Sequence, residues 1–96
     1  MKLLSWNIQW GRGADGVVNL QRTISAIRTL GDFDVICLQE VAVGFAGLQG
    51  GAPVDCVAEL AEAFADYSAH FVAAVDLPGK SGGRSLFGNL TLSRLP

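Results

Sequence analysis

The 96-residue sequence holds one histidine, His70, and two cysteines, Cys37 and Cys56. Neither cysteine belongs to a CxxC pair, so these three side chains make no zinc-ligand set. Buried free thiols are expected in preference to a disulfide. No stretch approaches the roughly 18 apolar residues of a membrane span. The short apolar run after Lys2 stops at Ser5 and Asn7, which is too short for a secretory signal. A cytoplasmic protein is therefore expected. Charge is also scarce, at 17% of residues with a net of −2. No global positive field draws this chain to nucleic acid or to an anionic membrane, and any nucleic-acid contact has to be local. Half of the residues are hydrophobic, which excludes a disordered tail. The glycines are scattered without a collagen period. Length and composition together bound the chain to one core.

Residues 2–8 alternate as a strand, with Leu4, Trp6 and Ile8 on one face and Leu3, Ser5 and Asn7 on the other. A glycine-rich loop follows through Gly16. Asn19 is placed to cap a helix that runs to Leu30, with Gly31 closing it. Leu20, Ile24 and Ile27 form that helix's apolar face. Asp34–Val41 is a short, mostly apolar strand of buried type. Residues 44–53 read as a loop, and Pro53 suits the first turn of a second helix running to about Tyr67. Val57, Leu60, Ala61 and Phe64 make its core face. Asp55, Glu59, Glu62 and Asp66 make an acidic, solvated stripe opposite. Strands are expected over His70–Val75 and Ser85–Ser93, on either side of a loop from Pro78 to Arg84.

The opening β-α-β order favours two parallel strands joined by a crossover. Parallel strands share a carboxyl edge, and in open α/β sheets ligands bind along that edge. Asn7 ends the first strand and Glu40 the second, so a neutral amide and a carboxylate can meet there. A carboxylate after Val35-Ile36-Cys37-Leu38 needs a partner, because a buried unpaired one takes up a proton unless a hard cation stabilises its charged form. The plainer alternative is that Glu40 is an exposed strand end and Asn7 a turn residue. In a regular strand Gln39 faces away from Glu40, which gives it a structural role.

Three strings in order carry a resemblance: Ser5-Trp6-Asn7-Ile8-Gln9, Asp34-Val35-Ile36-Cys37-Leu38-Gln39-Glu40-Val41, and Phe87-Gly88-Asn89-Leu90-Thr91-Leu92-Ser93-Arg94-Leu95-Pro96. Together the sequence resembles the N-terminal portion of the endonuclease/exonuclease/phosphatase family, the DNase I-like metallophosphoesterases. The resemblance implies the N-terminal half of a four-layer α/β/β/α sandwich, with residues 1–96 as the first part of one longer domain. It implies that Glu40 is the metal-binding glutamate, holding Mg²⁺ or Mn²⁺, and that Asn7 stands beside metal and scissile phosphate. Asn89 matches the family's G-N motif, which borders the active site. Where some members carry Asp two positions after the asparagine, this chain has Gln9. The family's later Asp-His pair and G-D-x-N motif have no counterpart here, and His70 lies at no catalytic position of the family.

The implied function is hydrolysis of a phosphodiester or phosphomonoester. Nucleic acid, inositol phosphates and phospholipid headgroups are all substrates within the family. The 96 residues alone are expected to be inactive without the C-terminal half of the domain. Arg12, in the loop after the first strand, and Arg84, before the last, are candidate phosphate contacts or solvated loop charges. The alternative reading is a stand-alone, non-catalytic α/β binding domain.

Overall fold

The computed structural model describes residues 1–44, 55–78 and 84–95, the side chains of Leu77 and Arg84 excepted. Strand β1 is Leu3–Asn7, helix α1 Leu20–Leu30, strand β2 Val35–Val43, helix α2 Cys56–Ala63, strand β3 Ser68–Pro78 and strand β4 Arg84–Ser93. The four strands form one sheet in the order β1-β2-β4-β3. β1 and β2 are parallel, as the β-α-β order requires, with Leu4 beside Ile36 and Asn7 beside Gln39. β4 runs antiparallel to both of its neighbours.

Both helices cover one face of the sheet. Ile24 and Ile27 of α1, Leu60 of α2, and Ile36, Leu38, Leu90 and Leu92 of the strands are fully buried in a single cluster. Asn19 caps α1, its side chain accepting from the Arg22 N–H. The other face carries no covering element among the described residues. Leu3 is 56% and Val72 71% exposed there, beside exposed Ser5, His70 and Asn89.

Several boundaries differ from the sequence reading. α2 starts at Cys56, with Asp55 as its cap accepting from the Ala58 N–H at 2.9 Å. The helix ends at Ala63, so Asp66 and Tyr67 lie beyond it and Asp55 is a cap, leaving Glu59 and Glu62 as the helical part of the acidic stripe. Cys56 takes the core place expected of Ala61, which is half-buried. Burial pushes the Cys56 thiol up to about 11, which makes it an inert packing group. Cys37, also a free thiol, is half-buried. β3 is longer than expected at both ends. Pro53, most of the 44–53 loop, and residues 79–83 lie outside the described residues.

The glycine-rich segment after β1 is ordered. A short 3-10 turn covers Gln9–Gly11, and Arg12 bridges to Val18. Asp15 accepts two bonds from Arg22, at 2.9 and 3.1 Å, and Arg22 also donates to the Val17 carbonyl at 2.8 Å. The hydrogen bonds from the Arg22 guanidinium and the Val17 N–H hold the Asp15 carboxyl down from 3.8 to about 2. A carboxyl depressed in the folded state stabilises at pH above its unfolded value, and the contribution disappears as the pH falls through the folded value. Acid titration should therefore loosen this loop between pH 4 and 2. Asp15→Asn should flatten that part of the acid-unfolding curve, and an unchanged curve would show that the pair contributes nothing.

Candidate active site

The carboxyl edge of β1 and β2 is built around an irregularity. Pairing between β2 and β4 runs regularly to Leu38–Leu90 and resumes at Val41–Gly88, so two residues of β2, Gln39 and Glu40, oppose Asn89 alone. This is a β-bulge, and the extra residue bends the strand. Glu40 sits in it with φ +57°. A left-handed backbone is costly for a residue with a Cβ, and such strain gathers at functional sites. The sequence pattern predicts a strand over Asp34–Val41 with Glu40 at its carboxyl end. In the fold β2 continues to Val43, and Glu40 lies inside the strand at its bulge.

Gln9 and Trp10, both at φ +48°, are the other non-glycine residues with positive φ among those described. All three lie at the same edge, where the Ile8 N–H donates to the Gln39 carbonyl at 3.0 Å. Gly11 permits the tight approach of this turn to α1. A Cβ there would stand 3.2 Å from the Leu20 backbone.

The register brings Asn7, Glu40 and Asn89 into one row across β1, β2 and β4. With strands spaced about 4.8 Å apart the row spans roughly 10 Å, the reach of one phosphate group and a cation. Asn7 Oδ1 accepts from the Gln9 N–H at 3.2 Å, which orients the side chain and leaves its amide N–H₂ as the outward donor. Gln39 donates to Ser5 Oγ and to the Cys37 carbonyl, each at 3.2 Å, which fits the structural role expected of it.

Glu40 carries the clearest chemical signal. Its Oε2 is buried and has no hydrogen-bond partner among the described residues. An orphaned carboxylate oxygen is expensive, and a hard cation is the partner that suits it. Among the described residues no three His, Cys, Asp or Glu side chains come together as a metal cluster. Further oxygen ligands for such a cation therefore come from water, substrate or other segments.

Arg12 lies at the mouth of the same edge. It lines a hollow of about 290 Å³ together with Trp6, Asn7, Gln9, Arg22 and Thr23. Among the described residues its Nε is the other buried side-chain polar atom without a partner. The structure does not bring Arg84 to the row. Arg84 opens β4 opposite Pro78, five residues before Asn89, roughly 17 Å along the strand. His70 is exposed on β3 beside Thr91, outside the row. A larger hollow, about 520 Å³, opens at the other end of the sheet, walled by Phe33, Phe64 and Tyr67. Its Arg28 already donates to the Ala63 carbonyl at 2.8 Å and lies over the Phe64 ring.

The family model of the Endonuclease/Exonuclease/phosphatase family matches residues 4–96. The chain belongs to that family. Membership places it in a superfamily of phosphoesterases and nucleases. A solved endonuclease/exonuclease/phosphatase family protein from Leptotrichia buccalis C-1013-b matches all of this chain, with a TM-score of 0.61 at 19% identity. At that identity the likeness concerns the fold, and it supports the α/β half of a DNase I-like sandwich. The chain covers 38% of that protein. No curated protein matches it significantly. No helix among the described residues is long and apolar enough to cross a membrane.

Proposed function

We propose that these residues form the N-terminal part of a cytoplasmic, divalent-cation-dependent phosphoesterase whose domain is completed by residues outside them. The observation that carries this reading is the buried, unpartnered Oε2 of Glu40, set on left-handed backbone in a row with Asn7 and Asn89. Oxygen donors with one carboxylate fit Mg²⁺ or Mn²⁺, and Glu40 would hold the ion with Asn7 beside it. When bound, the ion sets positive charge against the phosphate oxygens and against the charge that grows on them.

The chain's own residues supply the rest of this half-site. Asn7 donates its amide hydrogens to a phosphate oxygen without adding negative charge. The Gln9 N–H holds that side chain in place from behind. Asn89, one strand further, borders the phosphate on the other side of the bulge. The substrate is a phosphate ester, and nucleic-acid strands, inositol phosphates and phospholipid headgroups all present the group this row addresses. The general base and the histidine expected from the family resemblance come from the remainder of the domain. The uncovered sheet face gives that remainder a surface to pack against.

Hydrolysis of a phosphodiester by the full-length protein tests the reading. EDTA should abolish turnover, and Glu40→Ala should lower it by about a hundredfold or more, the scale on which preorganised charge stabilisation acts. The isolated 96 residues should show no turnover. Metal-dependent hydrolysis by the isolated chain that Glu40→Ala abolishes would show that the half-site suffices. Failure of the full-length protein to hydrolyse any phosphate ester would favour a non-catalytic binding domain.

A further inference from the structure

We propose that the hollow beside Asn7 is a second anion subsite, in which Arg12 binds a second phosphate of a substrate carrying two. The proposal rests on the phosphoesterase reading for the identity of the scissile group, and goes beyond it in naming a feature of the substrate.

Four observations meet at this hollow. First, it is lined both by Asn7 of the proposed phosphate row and by Arg12. Second, Arg12 Nε is buried and has no partner among the described residues. A guanidinium N–H withdrawn from water without an acceptor is costly, and a phosphate oxygen is the acceptor it matches best. Third, the other arginine lining the hollow is already neutralised. Arg22 spends its guanidinium on Asp15 and on the Val17 carbonyl. The same bridge ties up Asp15, the carboxylate nearest Arg12 in the loop. Among the described residues no carboxylate lines the hollow, so Arg12 is its uncompensated charge. Fourth, the loop that presents Arg12 is braced. The Arg12 N–H donates to the Gln9 carbonyl at 2.8 Å, and Gly13 and Gly16 close the turn through bonds of 2.9 and 3.0 Å. A braced cation loses little entropy on binding.

The chain's net charge of −2 makes this local cation matter more. These 96 residues add no long-range attraction of a polyanion, so their contribution to discrimination comes from a local contact such as this one. The shared chemistry of the ligand is a phosphate next to the scissile phosphate. The next phosphate of a nucleic-acid strand and the second phosphate of a polyphosphorylated headgroup both supply it.

The test uses the full-length protein and two substrate pairs: a dinucleotide with and without a 5′-phosphate, and an inositol bisphosphate with the matching monophosphate. The wild type should prefer the doubly phosphorylated member of one pair in kcat/KM by about tenfold, the scale of one charge-assisted hydrogen bond. Arg12→Gln should erase that preference by slowing the doubly phosphorylated substrate and sparing its partner. The pair that shows the effect identifies the source of the phosphate. Equal slowing of both members by Arg12→Gln, or no preference in the wild type, would overturn the subsite.

A second readout needs no turnover. In the metal-free Glu40→Gln variant, inorganic pyrophosphate should shift the ¹⁵N–¹H resonance of Arg12 Nε saturably. No shift would overturn the subsite. If no phosphate ester were hydrolysed at all, the phosphoesterase reading would fail while the resonance still decided whether Arg12 binds the anion.

Discussion

Replacing Glu40 by glycine should make the domain more stable by about 1 kcal/mol while removing the hydrolytic activity proposed for it. Glu40 occupies φ +57° within a bulge. A residue with a Cβ meets a cost of roughly 1–2 kcal/mol there, and glycine does not. Glycine's greater freedom in the unfolded chain returns part of the gain. The substitution also removes an oxygen that is buried without a partner. A stabilising loss of function is the signature of a strained residue retained for chemistry. Thermal unfolding of Glu40→Gly and wild type checks it. A destabilised glycine variant would mean that the carboxylate is bonded into the fold, and the argument for a cation would lose its foundation.

The second large effect concerns Gly88, inside the string that resembles the family's G-N motif. It does not rely on positive φ. Its requirement is space: a Cβ would fall 2.0 Å from the Val72 carbonyl oxygen and 2.8 Å from the Ala73 Cα. Backbone of a paired strand cannot swing aside as a long side chain can. Gly88→Ala should therefore push β3 away from β4 and cost about 3 kcal/mol or more, at the upper end of overpacking effects. Activity should fall with stability, because Asn89 is the next residue. Urea unfolding measures the loss, and a cost below about 1 kcal/mol would show that the two strands can separate locally without penalty.

The parts of the fold set by local pattern were legible in the sequence. The β-α-β order and the buried-type run of β2 led to a parallel β1–β2 pair, and Asn19 and the Leu20-Ile24-Ile27 face marked α1. Asn7 and Glu40 were placed on one edge by that topology alone. Other features were not legible. The bulge that holds Glu40 depends on β2 pairing with β4, a contact across some fifty residues of sequence. The apolar run therefore ended the strand at Val41, two residues before its end at Val43. The position of Asn89 depends on β4 lying between β2 and β3, which strand order along the chain does not dictate. The sequence pattern starts α2 from Pro53 as a first-turn residue, whereas Asp55, which it places in the acidic stripe, is the cap in the fold. The Asp15–Arg22 bridge left no sequence signal beyond opposite charges on either side of a helix cap. Yet that bridge makes Arg12 the uncompensated cation of its hollow. Arg84, placed with Arg12 by its loop position, is separated from the row by five residues of β4.

The proposed function requires a divalent cation held by Glu40 at this edge. Calorimetric titration of Mn²⁺ into the metal-free full-length protein and into its Glu40→Gln variant tests it most directly. The neutral amide keeps the size of the side chain and removes its charge. The account requires saturable binding by the wild type, and binding at least tenfold weaker, or undetectable, in the variant at unchanged thermal stability. Equal Mn²⁺ affinity in the two proteins would contradict it and return Glu40 to a strained but chemically idle place in the sheet.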